Sequence, residues 1–239
     1  MKLGVTIHTY RRLDGTTPML LKRALESVAN QSFQDFKIFV IGDKYDNNLE
    51  FQEIINWFLT KYPSFEKRVF SENLNYAKER DKYLGINNTA LWNCGGTNAL
   101  NYATQVAIDN GFTKICHLDH DDYWEHNHLD TIVNAIKEKE NPAFIHTLST
   151  YLNHEVFPQT IVDNQIIEHY PHYCNLIHSS TYIDYNKIPF RYRDLWEEEQ
   201  RYFPSDGDMW ERIRVHCESK NLKCYLVRKL TCYHENENY

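Results

Sequence analysis

This chain predicts an α/β fold, a mixed but mostly parallel sheet flanked by helices, on three observations. Strand-like and helix-like hydrophobic patterns alternate through the first 150 residues, the order that crossover units produce. Residues 36–42 are almost wholly apolar, as in a strand covered on both faces. Beyond residue 150 the texture changes to short strand-like pieces around one helix, in a chain whose length suits one large domain.

The elements follow in order. Residues 4–8 read as the first strand. Thr17-Pro18 then supplies a cap and a proline in the first helical turn, and Leu21, Ala24, Leu25 and Val28 recur at helical spacing up to Asn30. After the strand at 36–42, Phe51, Ile54, Ile55, Phe58 and Leu59 make a second amphipathic helix, and 68–70 a short strand. Residues 73–93 are polar and poor in periodicity, the pattern of a long surface loop. Gly95-Gly96 opens a helix carrying Leu100, Ala103, Val106 and Ala107, closed by Gly111, and 114–118 is the next strand. A helix with Leu129, Ile132, Val133 and Ile136 and a strand at 143–147 complete the alternation. The remainder reads as strands at 160–167, 178–183 and 223–227, with a helix at 207–219.

The strand at 114–118 runs into Asp119-His120-Asp121-Asp122, three carboxylates within four positions. Acids so close repel one another unless a cation, a helix start or water absorbs the charge. Hard oxygen donors suit Mg2+ or Mn2+. The competing reading is a solvated turn that caps the helix near 127–137.

A net charge of -7 argues against sequence-independent nucleic-acid binding. No run of about 18 apolar residues is present, and Met1 leads directly into a strand, so the expectation is a cytoplasmic protein without a secretory signal. Six cysteines without C-x-x-C spacing read as reduced thiols. Seventeen tyrosines and 5 tryptophans suit stacking on bases or sugar faces as well as ordinary cores.

Four segments in one order carry a resemblance over nearly the whole chain. Val5-Thr6-Ile7-His8-Thr9-Tyr10-Arg11-Arg12, with the helix from Leu21 to Gln31, resembles an opening strand, loop and "ALESVLNQ" helix. Residues 36–43 resemble a second strand ending in an acid, and Gly95-Gly96-Thr97-Asn98-Ala99-Leu100-Asn101 a "GG…ARN" helix start. Asp119 to Asp122 match a D-x-D-D motif, and Ser205 to Arg212 an "ED-x-D-x-W-x-R" segment. Together they resemble the family-2 glycosyltransferases, which have the GT-A fold: a Rossmann-like, mostly parallel sheet with a smaller acceptor-side sheet. The resemblance implies a single domain over 1–239, with a nucleotide-sugar-binding half at 1–125 and an acceptor-binding half at 126–239.

It also implies an inverting, metal-dependent transfer of sugar from a nucleoside diphosphate, UDP favoured, to a hydroxyl on a glycan, glycolipid or protein-linked glycan. Asp121 and Asp119 would hold Mn2+ or Mg2+, with Asp119 also contacting the ribose. Asp122 would be a further ligand or a helix cap. Tyr10, Asp43 and Asn98 would bind the donor, Asp43 accepting the base N–H at a strand's carboxyl end. Asp206, just before the last helix, would be the catalytic base, unless it or Ser205 merely caps that helix. The tail around His234 resembles "Y-x-H-x-x-N", so His234 would reach the metal or the diphosphate, or be simply exposed. His178-Ser179-Ser180-Thr181 resembles the segment beneath the acceptor sugar. Peripheral membrane contact stays open for a lipid-linked acceptor.

Three positions depart from the pattern: Gly42 for an acid, Ser205 for glutamate and Leu100 for arginine. Arg11, Lys78 or Arg80 would replace the missing arginine. A nucleotide-sugar-binding protein without chemistry and a metal-dependent phosphohydrolase are the alternatives. Acceptor choice is expected in 73–93 and 151–173.

Overall fold

The computed structural model describes residues 1–12, 14–75, 96–151, 155–173, 175–193 and 204–234. β1 (Leu3–Thr9), β2 (Phe36–Asp43) and β3 (Val69–Leu74) are parallel neighbours, and β4 (Lys114–Asp119) joins β1 on its other side. The sheet then continues through β9 (Thr181–Asp184), β6 (Phe144–Tyr151), β10 (Cys224–Tyr233) and β5 (Tyr123–Trp124). β9 is antiparallel to both β4 and β6, while β10 is parallel to β6. β7 (Glu155–Phe157) pairs β6 and β8 (Ile166–Glu168) pairs β10. The strands expected on the acceptor side are therefore continuous with the main sheet through β9.

α1 (Thr17–Ala29), α2 (Asn48–Lys61) and α4 (His128–Glu138) contribute to one core cluster with Val5, Ile7, Ile38 and Val40. α3 (Thr97–Asp109) and α5 (Ser205–Lys220) contribute to a second with Phe39, Ile115, Phe144 and Ile183. Alternate strand residues thus feed opposite layers, as the pleat requires. Leu100 is 6% exposed within the second cluster, so the position where arginine was expected is a packing site.

The expected helices and parallel strands form, with shifted ends. Four differences stand out. β3 runs to Leu74 rather than ending at 70, because it is an edge strand and tolerates the polar Ser71, Glu72 and Asn73. Residues 160–165 are not a strand: Ile161 and Val162 are exposed, and the chain turns at Asn164, whose φ is 63°. β10 extends past 227 to Tyr233 across two register irregularities that hide its alternation. The expected strand at 178–183 starts instead as a 3-10 turn, His178–Ser180.

Gln31 illustrates how the motif helix is tied down. It is buried, donates to the carbonyls of Ser27 (2.9 Å) and Glu125 (2.7 Å), and accepts from the Leu129 amide (2.9 Å), joining α1 to the start of α4. No described helix is long and apolar enough to cross a membrane.

Candidate functional site

The chain leaves β1 for β2 on one side and returns to β4 on the other, so the sheet has a topological switch point between β1 and β4. Ligands of open α/β sheets bind outside the carboxyl ends of strands at such a point. His8 and Asp119 are register partners there.

Asp119 Oδ1 accepts a hydrogen bond from His178 Nδ1 at 2.7 Å and lies 3.6 Å from His8 Nδ1, and the Asp119 amide donates to Ser179 Oγ at 2.9 Å. Burial alone would raise the Asp119 pKa, yet His178 and His8 hold it well below the ordinary carboxylate range. His178 is raised despite its burial, because Asp119 favours the imidazolium. His8 is lowered to about 4, chiefly by burial.

The remaining acids form two further pairs. Asp122 is fully buried and accepts from His234 Nδ1 at 2.9 Å through Oδ1, while its Oδ2 has no hydrogen-bond partner. Burial raises Asp122 to about 6, the charges of Asp121 and Asp119 adding to the effect and His234 opposing it. His234 is raised to about 9 despite burial by Asp122, Asp121 and Asp119. Asp122 does not cap the following helix: Asn127 holds that position, and Asp122 faces His234. Nor is His234 simply exposed, since it also stacks on Tyr151 at 5.4 Å. Asp121 Oδ2 lies 3.6 Å from Arg12 Nη1, and its carbonyl accepts from Arg23. Among the described residues no three His, Cys, Asp or Glu side chains are grouped so as to hold a metal.

Asp206 lies inside α5 as its second residue, with Pro204 at the cap position, so neither Asp206 nor Ser205 is the cap. Its Oδ1 accepts from the Gly207 amide at 2.7 Å. Burial raises its pKa, opposed by that amide and by His178 and reinforced by Asp119. Asp119, His178 and Asp206 therefore share one electrostatic neighbourhood. Asp208, two residues on, is clamped between Arg193 and Arg212.

On the donor side, Asp43 is 2% exposed at the end of β2 and acts on the charge of His8. A Cβ at Gly42 would lie 2.8 Å from Asn73 Oδ1, which explains why no acid stands there. Asn73 accepts from the Tyr45 amide (2.9 Å) and donates to the Tyr45 carbonyl (3.1 Å), and Tyr45 Oη pairs with Thr9 Oγ1 at 2.7 Å. A hollow of about 420 Å³ opens here, lined by Lys44, Tyr45, Asp46, Asn48, Asn73 and Asn75. Tyr10 meets His120 edge-on at 5.0 Å. Asn98 sits in the first turn of α3, its buried Nδ2 without a hydrogen-bond partner among the described residues.

Arg11 turns to Glu50, 2.7 Å away, so Arg12 rather than Arg11 faces the Asp121 carboxylate. Lys78, Arg80, Gly95, Cys94, Cys174 and most of the loop at 73–93 lie outside the described residues. Cys116, Cys217, Cys224 and Cys232 are free thiols. Sequence reasoning missed His8 and His178 as partners of Asp119, and Arg12 as the partner of Asp121. The only signal for His8 was its place at the end of a strand due to neighbour the acidic one.

No protein-family model matches the chain. It is 32% identical over 244 residues to a protein of Acanthamoeba polyphaga mimivirus described as "Uncharacterized glycosyltransferase R139", covering 99% of this chain and 95% of that one. Among solved structures it resembles S. aureus TarS 1-349 in complex with UDP, with a TM-score of 0.67 and 14% identity over 98% of this chain. The same TarS fragment in complex with UDP-GlcNAc also gives 0.67 at 14% identity, over 100% of this chain. The chain spans 60% of the length of that fragment, and at this identity the likeness is one of fold.

Proposed function

The chain belongs to the glycosyltransferases, and from that premise we propose that it is an inverting, family-2 member using a nucleoside-diphosphate sugar, UDP favoured. The observation that carries this reading is the half-buried Asp119 at the switch point of the sheet, with Asp206 close enough for Asp119 to act on its charge. The complexes of TarS with UDP and UDP-GlcNAc support the choice of donor. The continuous sheet supports reading 1–239 as one domain, with donor and acceptor halves meeting near 125.

In this reading Asp43 accepts an N–H of the base, Tyr10 flanks it and Asn98 offers its unpartnered amide to the donor. Arg12 places a positive charge beside Asp121, where the diphosphate would lie. Asp206 takes the acceptor proton as the acceptor oxygen attacks the anomeric carbon from the face opposite the leaving group. Its raised pKa makes it a better base than an ordinary aspartate. No covalent intermediate is required.

No three described side chains are grouped to hold an ion alone, so in this reading two acids share a hard divalent ion with the donor diphosphate. Asp122 Oδ2 is a buried carboxylate oxygen without a partner, and Asp121 and Asp119 add repulsion that a cation would relieve. Asp121 and Asp119 would hold Mn2+ or Mg2+, with His234 beside them. When bound, the ion neutralises charge growing on the departing diphosphate. The acceptor is read as a hydroxyl of a glycan, glycolipid or protein-linked glycan.

Incubation with UDP-sugars and Mn2+ tests the proposal: intact UDP with free or transferred sugar is expected. Release of inorganic phosphate would indicate a phosphohydrolase instead. Asp206→Asn should lower kcat by about 10²- to 10⁴-fold with UDP affinity retained. Intact turnover in that variant removes Asp206 as the base.

A further inference from the structure

Buried polar groups are almost always hydrogen-bonded, and an exception needs an explanation. Three exceptions lie together. His178 Nε2, Tyr192 Oη and Trp210 Nε1 are buried without a hydrogen-bond partner among the described residues. Their rings touch pairwise, at 5.6 Å for His178 and Tyr192, 6.1 Å for His178 and Trp210, and 6.1 Å for Tyr192 and Trp210. They come from three separate pieces of chain: the turn before β9, the segment after it, and α5.

The arrangement is built. Asn101 of α3 accepts from the Tyr192 amide at 2.9 Å and donates to its carbonyl at 2.7 Å, so a side chain clasps the Tyr192 backbone. Asp119 fixes His178 through Nδ1. Asp119 and Asp206 both act on the charges of His178 and Tyr192, so the cluster is close to both carboxylates. Asp119, which holds His178, has a side chain that is 25% exposed.

Their hydrogen-bonding roles are complementary. An ionised Asp119 only accepts, so His178 Nδ1 carries a hydrogen, and Nε2 is left as an acceptor in the neutral ring or a donor in the imidazolium. Trp210 Nε1 only donates, and Tyr192 Oη does either. Neighbouring hydroxyls answer all three groups in either state of His178, since each hydroxyl donates one bond and accepts others. Purely structural packing would be served better by phenylalanine and leucine.

We propose that His178, Tyr192 and Trp210 form a subsite for the hydroxyls of the transferred sugar, between Asp119 on the diphosphate side and Asp206 on the acceptor side. This rests on the donor reading above. The subsite selects the sugar, since a donor without a hydroxyl in register leaves a buried group unpaired.

Calorimetric titration of UDP, UDP-glucose, UDP-galactose and UDP-GlcNAc into the wild type and Tyr192→Phe tests it. The wild type should bind one UDP-sugar more tightly than UDP. In Tyr192→Phe the UDP Kd should be unchanged and that sugar's Kd about tenfold weaker. The Tm of the free variant should be equal or higher, because an unsatisfied hydroxyl is gone. Unchanged sugar affinity with intact UDP binding overturns the subsite, as does a lowered Tm with UDP and sugar binding lost together. A raised acceptor KM with an unaltered donor Kd overturns the assignment to the donor. A wild type that binds neither UDP nor any UDP-sugar instead overturns the donor reading on which the proposal rests.

Discussion

Asn73 and Asn101 do the same job at two ends of the site: each uses its amide to satisfy both backbone groups of a tyrosine, Tyr45 and Tyr192. The first clasp depends on Gly42, because a side chain there would run into Asn73 Oδ1 and lie 3.2 Å from Tyr45 Cδ2. Gly42→Ala gains a little by restricting the unfolded chain, about 0.4–1 kcal/mol. The clash should win, for a net loss of about 1–2 kcal/mol by urea unfolding. In an Asn73→Ala background the same change should cost less. Equal costs in the two backgrounds would show that the Asn73 side chain is not what excludes a Cβ. The acids at 119–122 and at 206 were legible because each sits in a short local pattern. Their partners were not: His178 is 59 residues from Asp119, Arg12 is far from Asp121 in the chain, and a lone histidine or arginine carries no local mark.

Helices and parallel strands were legible because burial on one or both faces imprints a period on the sequence. The misread elements are those where that imprint fails. β3 pairs along one edge, β10 changes register, and 160–165 carries apolar residues that stay exposed. The start of α3 was legible for a different reason. Gly96 sits at φ 87°, a left-handed conformation that costs an L side chain about 1–2 kcal/mol. Gly96→Ala should therefore lower stability by about that amount and displace the first turn, which carries Asn98. Weakened UDP binding beyond the change in stability, measured by titration below the unfolding range, would separate displacement of Asn98 from simple destabilisation. A variant as stable as the wild type would show that the chain does not need the left-handed residue there.

Over the whole molecule, stability should fall on mild acidification because several histidines are buried neutral. His128 stacks on Trp124 at 4.2 Å, and its Nδ1 lies 2.8 Å from Thr231 Oγ1. Thr231 spends its own hydrogen on Thr147, so it accepts from His128 Nδ1, and Nε2 is left as a buried lone pair without a partner. Burial lowers His128 to about 3 and His146 well below its ordinary value. A histidine depressed in the folded state binds its proton mainly in the unfolded chain. Its contribution is therefore intact above pH 6.5 and shrinks as pH falls toward the folded value, by about 1.4 kcal/mol per pH unit for each such group. Asp122, raised to about 6, and Asp206, His178 and His234, all raised in the folded state, act in the opposite sense as pH falls, so the net slope alone does not identify the histidines. His128→Leu does. It should be less stable than the wild type at pH 7.5, where Thr231 loses its partner, and its urea-unfolding free energy should fall less steeply between pH 6.5 and 5. Parallel slopes in the two proteins would mean that His128 is protonated in the fold or reached by water, and that the acid sensitivity lies elsewhere.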